Sequence, residues 1–166
     1  MADNWELPLL SGHTVEMTEF TDEALEHIAD NLKPADREEV HATLGHRRYA
    51  DALRLSVTMA ASVRVAVSAY GEPIAILGVQ TVSLIYNTGA PWMLTLNYCK
   101  SHRRALMTLG HQYTAAMLER YSELENYVDA RHTESVAWLQ RLGFTLDEPK
   151  PYGPLRLPFH RFHKVR

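Results

Sequence analysis

Residues 124–146 read LENYVDARHTESVAWLQRLGFTL, and the hydrophobic period changes once within them. Leu124 to Ala130 is a short β-type run around Tyr127 and Val128. From Thr133 the pattern turns helical. Glu134 falls in the first turn, Val136, Trp138, Leu139 and Leu142 recur at helical spacing, and Gly143 stands where a helix ends on a left-handed residue. A strand, a helix and a return to extended chain at Phe144 and Leu146 predict an α/β arrangement.

Working back from this stretch, Leu106, Leu109, Tyr113, Met117 and Leu118 lie three or four residues apart between His102 and Tyr121, which predicts a long helix. Before it the period is two. Val63, Val65 and Val67 alternate, Tyr70-Gly71-Glu72-Pro73 supplies turn chemistry, and Ile74 to Leu84 is a second β-rich run. Asn87-Thr88-Gly89-Ala90-Pro91 reads as the next turn. Trp92, Leu94 and Leu96 then alternate with Met93, Thr95 and Asn97 in a third strand ending near Cys99.

Nearer the N-terminus, Val15 and Met17 mark a strand, and Thr21 with Asp22 and Glu23 forms an N-cap for a helix carrying Leu25, Ile28 and Leu32. Asp36–Leu44, closed by Gly45, and Tyr49–Ala61 read as further helical pieces that could cover a cleft. Downstream, Leu155, Leu157 and Phe159 belong to closing extended segments. A single domain over residues 1–166 is expected, with the N-terminal segment of about 12 residues and the basic C-terminal tail peripheral.

Composition narrows the function classes. At 166 residues and 46% hydrophobic content, the chain can bury one core but not two of ordinary size. A net charge of -3 argues against a general nucleic-acid coat or a polybasic membrane anchor. The single cysteine, Cys99, rules out an internal disulfide framework and fits a reducing compartment; beside Tyr98 at a strand end it reads as a packing residue. The first residues are acidic where an export signal would be basic, and no apolar run approaches the roughly 20 residues that span a bilayer. Cytosolic synthesis without membrane insertion is the expectation.

The order strand, helices, antiparallel strands, long helix, strand, short helix, strand resembles the GNAT acetyltransferase superfamily, and the Gly143-Phe144 pair after the last helix carries the resemblance most specifically. The run 117–128, MLERYSELENYV, also resembles small GNAT-like proteins of short-tailed bacteriophages, including internal virion proteins. That second likeness covers residues 91–149, about a third of the chain. It implies an α/β (α+β) domain with a central mixed, mostly antiparallel sheet and helices on both faces. It also implies acetyl-CoA as the cofactor and a phage virion or host protein as the partner, in the host cytoplasm or within the virion. Two functions follow from it: a non-catalytic virion-associated, assembly or host-interaction module, or an acetyl-CoA-dependent N-acetyltransferase acting on a protein or small amine.

Three departures from the family pattern bear on that choice. The long helix should open on a glycine-rich turn that lets backbone N–H groups approach a pyrophosphate. Here the turn reads Lys100-Ser101-His102-Arg103-Arg104, and the next glycine is Gly110. By alignment on Gly143-Phe144, the family's helix-opening asparagine corresponds to His132. Its tyrosine acid, which reprotonates the departing thiolate, corresponds to Leu139, and leucine has no proton to give.

Lys100, His102, Arg103 and Arg104 are the candidate cofactor-binding residues. Cations at a helix N-terminus cost about 0.3 to 1 kcal/mol each, and a bound anion would offset this. The alternative is a solvated basic turn. The candidate general bases are Glu72, Asp129 and His132, with His132 the best placed by its ordinary pKa, and a helix-start role is its structural alternative. Arg156, His160, Arg161, His163, Lys164 and Arg166, interleaved with Phe159 and Phe162, could contact acidic protein or nucleic acid or form a disordered or edge-strand tail. No histidine shares a recognised ligand spacing with cysteine or carboxylate, so no metal is expected. Trp92, Trp138, Tyr113 and Tyr127 read as core aromatics.

Overall fold

The computed structural model describes residues 5–12, 14–45, 48–96 and 99–166, with the side chains of Leu44, Cys99 and Lys100 also outside the description. The elements in chain order are β1 (Ser11–Gly12), β2 (Val15–Thr18), α1 (Asp22–Asn31), α2 (Pro34–Leu44), α3 (Tyr49–Met59), β3 (Ser62–Ser68), β4 (Pro73–Ser83) and β5 (Thr88–Thr95). A 3-10 turn (Cys99–His102) leads into α4 (Arg103–Arg120), β6 (Glu123–Asp129), α5 (Thr133–Arg141), β7 (Thr145–Leu146), β8 (Lys150–Tyr152) and β9 (Leu157–Val165).

Local chemistry accounts for the helix ends. The Ala24 N–H donates to the Thr21 side chain at 3.2 Å, so Thr21 caps α1 as expected. Pro34 opens α2, where a missing N–H costs nothing, and Gly45 closes it at φ +65°.

The strands form one sheet in the order β1-β2-β3-β4-β5-β6-β9-β7, with β8 also on β9. Every pairing is antiparallel except β5 with β6. Each face of the sheet buries a separate apolar cluster. On one, Leu106, Leu109, Tyr113 and Met117 of α4 pack on Leu77 and Val79; on the other, Leu25, Ile28 and Leu53 of α1 and α3 pack on Val65, Ile76 and Leu96. The chain is one mixed-sheet α/β domain.

Three expectations are corrected. The turn before β5 lies at 84–87, with Asn87 at φ +51°, and residues 88–91 already belong to the strand. Gly89 answers to packing: a Cβ there would meet the Tyr121 ring at 2.7 Å. The basic C-terminal stretch is not a peripheral or edge tail. As β9 it lies inside the sheet, between β6 and β7–β8, and Arg161 meets Glu123 (3.1 Å), Glu125 (2.8 Å) and Asp147 (3.3 Å). Residues 5–12 of the N-terminal segment are likewise not peripheral: Leu7 is fully buried, and Pro8 accepts a hydrogen bond from the Tyr113 hydroxyl at 2.7 Å.

Candidate ligand cleft

β5 and β6 pair only at Thr88–Glu123 and Gly89–Leu124, and then diverge. The backbone explains the break. Leu96 N–H donates to the Ile74 carbonyl at 3.1 Å, so even-numbered residues of β5 turn their polar groups to β4, while Pro91, Met93 and Thr95 turn theirs towards β6. Pro91 has no N–H and cannot extend a ladder. Its carbonyl is met by the Asn126 side-chain amide at 3.0 Å in place of a backbone partner.

Between the diverging strands lies a cavity of about 510 Å³. Leu106 and Tyr113 of α4, Trp138 and Leu139 of α5, and Trp92 and Met93 of β5 give it largely apolar walls. Arg103 and Glu134 also line it, and α2 contributes Asp36 and Glu39. The helix from residue 34 therefore does border the cleft.

Asp36 was not singled out by the sequence. Its carboxylate accepts the Thr95 N–H at 2.7 Å and the Thr95 hydroxyl at 3.3 Å, and Lys33 lies 3.5 Å away. The Lys33 N–H donates to the Thr95 carbonyl at 3.3 Å, and Leu32 bridges Leu96. The cleft-facing edge of β5 is thus occupied at Thr95 by the chain itself. Burial pushes the Asp36 carboxyl above its ordinary value, and Lys33 and the Thr95 N–H partly offset this. Asp36→Ala, which strands the Thr95 N–H, should cost about 1–3 kcal/mol in urea denaturation. Asp36→Asn keeps an acceptor oxygen without the buried charge and should stay within about 1 kcal/mol of the unmodified chain.

The structure scatters the other candidates. His132 is buried and does not line the cavity. Its Nδ1 lies 3.2 Å from Glu39 Oε2 and its Nε2 3.6 Å from Glu38 Oε2. The hydrogen bond its ring donates to Glu39 raises its pKa, burial opposes this, and the charges of Glu39 and Asp129 add to the rise. Asp129 is fully buried and chelated by Arg131, through Nε at 3.0 Å and Nη2 at 2.6 Å. Glu72 is exposed at the β3–β4 turn.

Of the three of these basic residues whose side chains are described, Arg103 lines the cavity, Arg104 is exposed, and His102 Nδ1 lies 3.0 Å from the Thr14 hydroxyl. The Lys100 and Cys99 side chains, and Asn97 and Tyr98, lie outside the described residues. His160 Nδ1 lies 2.7 Å from the Asp147 carbonyl, and His163 Nε2 3.3 Å from the Asp147 carboxylate. Among the described residues no three metal-ligating side chains converge, and no helix is long and apolar enough to cross a membrane.

The expected core aromatics divide. Tyr113 is buried, and burial pushes its phenol up to about 12. Trp92 and Trp138 are half-buried at the cavity wall, and Tyr127 stacks on Tyr152 with ring centroids 4.0 Å apart. Leu139, aligned with the family's acid, does face the cleft.

Solved acetyltransferases superpose on this chain over most of its length. A spermidine N-acetyltransferase from Vibrio cholerae, in complex with CoA and spermine, superposes with a TM-score of 0.69 at 10% identity, covering 92% of this chain and 95% of that one. The chain has the GNAT fold. A GNAT superfamily phosphinothricin acetyltransferase from Sinorhizobium meliloti, in complex with AcCoA, gives 0.65 at 15% identity over 92% and 89%. A putative acetyltransferase from Acinetobacter baylyi gives 0.66 at 13% over 92% and 93%. No family model and no curated protein sequence matches. At these identities the likeness is one of GNAT fold, and the chemistry must come from the residues.

Proposed function

We propose that this GNAT-fold protein does not transfer acetyl groups and works through its surfaces, as a virion-associated, assembly or host-interaction module of a bacteriophage, in the host cytoplasm or the virion. The observation that carries the non-catalytic reading is the Asp36 carboxylate on the Thr95 N–H. Oxyanion stabilisation needs a free donor aimed at developing negative charge. Here a carboxylate takes the donor and would repel that charge. Leu139 at the acid position and the turn from Lys100 to Arg104 without glycine point the same way. With α2 in place, the residues at the β5 edge do not fit the arm of an acyl-CoA. The phage setting rests on the resemblance of residues 91–149.

The second reading, an acetyl-CoA-dependent N-acetyltransferase, is favoured by the size of the cavity, by Arg103 at its wall and by Met93, whose N–H also turns towards β6. In that reading Lys100, His102, Arg103 and Arg104 contact the cofactor phosphates, and His132 is the candidate base once released from Glu39.

Calorimetric titration of CoA and acetyl-CoA into the purified chain separates the two. The expected result is no heat of binding at millimolar ligand. Micromolar binding that is lost in Arg103→Glu/Arg104→Glu would overturn the non-catalytic reading.

A further inference from the structure

α2 lies across the mouth of the cleft and touches both of its sides. Near its start, Asp36 holds the Thr95 N–H on β5. One turn later Glu39 reaches the other side, where its Oε2 accepts the Asp129 N–H at 3.3 Å and faces His132 Nδ1 at 3.2 Å. Near its end, Ala42 sits against the turn before β9: a Cβ on Gly153 would come within 2.5 Å of the Ala42 carbonyl.

Neither of the two apolar clusters contains a residue of α2. Val40 and Ala42 of the helix are buried outside those clusters, while its contacts with the two sides of the cleft, at Asp36 and Glu39, are hydrogen bonds and an ion pair. Its link to the α1–α3 side is also polar, since Arg37 donates to the Asp30 carbonyl at 2.8 Å and lies 5.5 Å from the Tyr49 ring centroid. One end can therefore stay tethered while the cleft-side contacts part.

We propose that α2 is a strap closed over the cleft by two polar latches, Asp36–Thr95 on β5 and Glu39–His132/Asp129 beyond β6, and that their release uncovers the β5 edge. This rests on the reading of the cleft as closed to CoA. The latches are coupled through a rigid helix, so loosening one loosens the other.

The charged groups facing His132 are Glu38 and Glu39 on α2 and Asp129 at the end of β6, and Arg131 pairs with that Asp129. A raised histidine pKa stabilises the closed form fully below the ordinary value of 6.5, and the contribution is lost as pH rises through the folded value. The second latch therefore weakens in alkali.

The test is amide hydrogen exchange of the Thr95 N–H, followed by NMR in the unmodified chain and in Glu39→Ala. Glu39 is not hydrogen-bonded to Thr95, but its charge acts on Asp36, so a purely local role would alter exchange at Thr95 alone, whereas an opening strap must speed Thr95 and the α2 amides together. The strap predicts exchange about tenfold faster at Thr95 and through α2, with α4 and β3–β4 amides unaffected. Unchanged exchange at Thr95, or a change confined to Thr95, in a folded Glu39→Ala overturns it. Should Glu39→Ala fail to fold, the unmodified chain decides: exchange at Thr95, corrected for its intrinsic pH dependence, must rise between pH 6 and 9, and a flat profile overturns the strap. CoA titrated into the same samples reports on the closed cleft alone. Binding to the unmodified chain would sink that reading while the exchange data judge the strap independently.

Discussion

Tyr121→Ala should lower the free energy of unfolding by about 3–5 kcal/mol, read as a shift in urea midpoint at constant slope. Tyr121 follows α4 directly, with its N–H on the Met117 carbonyl at 2.8 Å and its side chain fully buried. The ring lies on the bare backbone of Gly89, the Trp5 ring meets it edge-on at 6.1 Å, and its hydroxyl pairs with Thr81 at 2.8 Å. Truncation removes all three contacts at the point where β5 and β6 still pair, and so opens a cavity where the two halves of the sheet are joined. Tyr121→Phe keeps the ring and should cost only about 1 kcal/mol.

Asp129→Ala should cost about 2–3 kcal/mol, because the carboxylate is fully buried and accepts the Arg131 N–H at 2.9 Å together with the guanidinium. Arg131 is half exposed, which lets its charge return to water and keeps the loss below that of a fully buried pair. Burial alone would raise the Asp129 carboxyl; the hydrogen bonds from Arg131 outweigh it and hold the group below its ordinary 3.8. The linkage has a definite sign: this contribution is present above pH 3.8 and is lost as pH falls through the lower folded value. Acid titration of the two chains should therefore converge, the difference between their stabilities shrinking below pH 3.8.

These two sites mark what was legible in the sequence. The helix α4, the β6–α5 unit and the departure at Leu139 were, because periodicity and a Gly-Phe ending are local signals. The turn chemistry of Asn87 to Pro91 misled, since Gly89 is there for a ring 32 residues away, as 121 − 89 shows. The charges of β9 read as a disordered or edge-strand tail because their partners, Glu123, Glu125 and Asp147, lie elsewhere in the sequence. The Asp36–Thr95 contact spans 59 residues, and nothing in a helix-opening Pro-Ala-Asp distinguishes a carboxylate that caps its own helix from one that reaches a strand. His132 was chosen for its titration range, but Glu39, 93 residues away, governs its surroundings.

The position of β9 also bears on how the molecule is made. Every other strand of the sheet leaves the ribosome before Leu157–Val165, yet β6, β7 and β8 each depend on that segment for a neighbour. Until it emerges, β6 presents an open row of N–H and C=O groups, the kind of edge that recruits foreign strands. The acidic side chains of β6, Glu123 and Glu125, then face outward without Arg161. Like charges along an unpaired strand oppose its pairing with a second copy of the same edge.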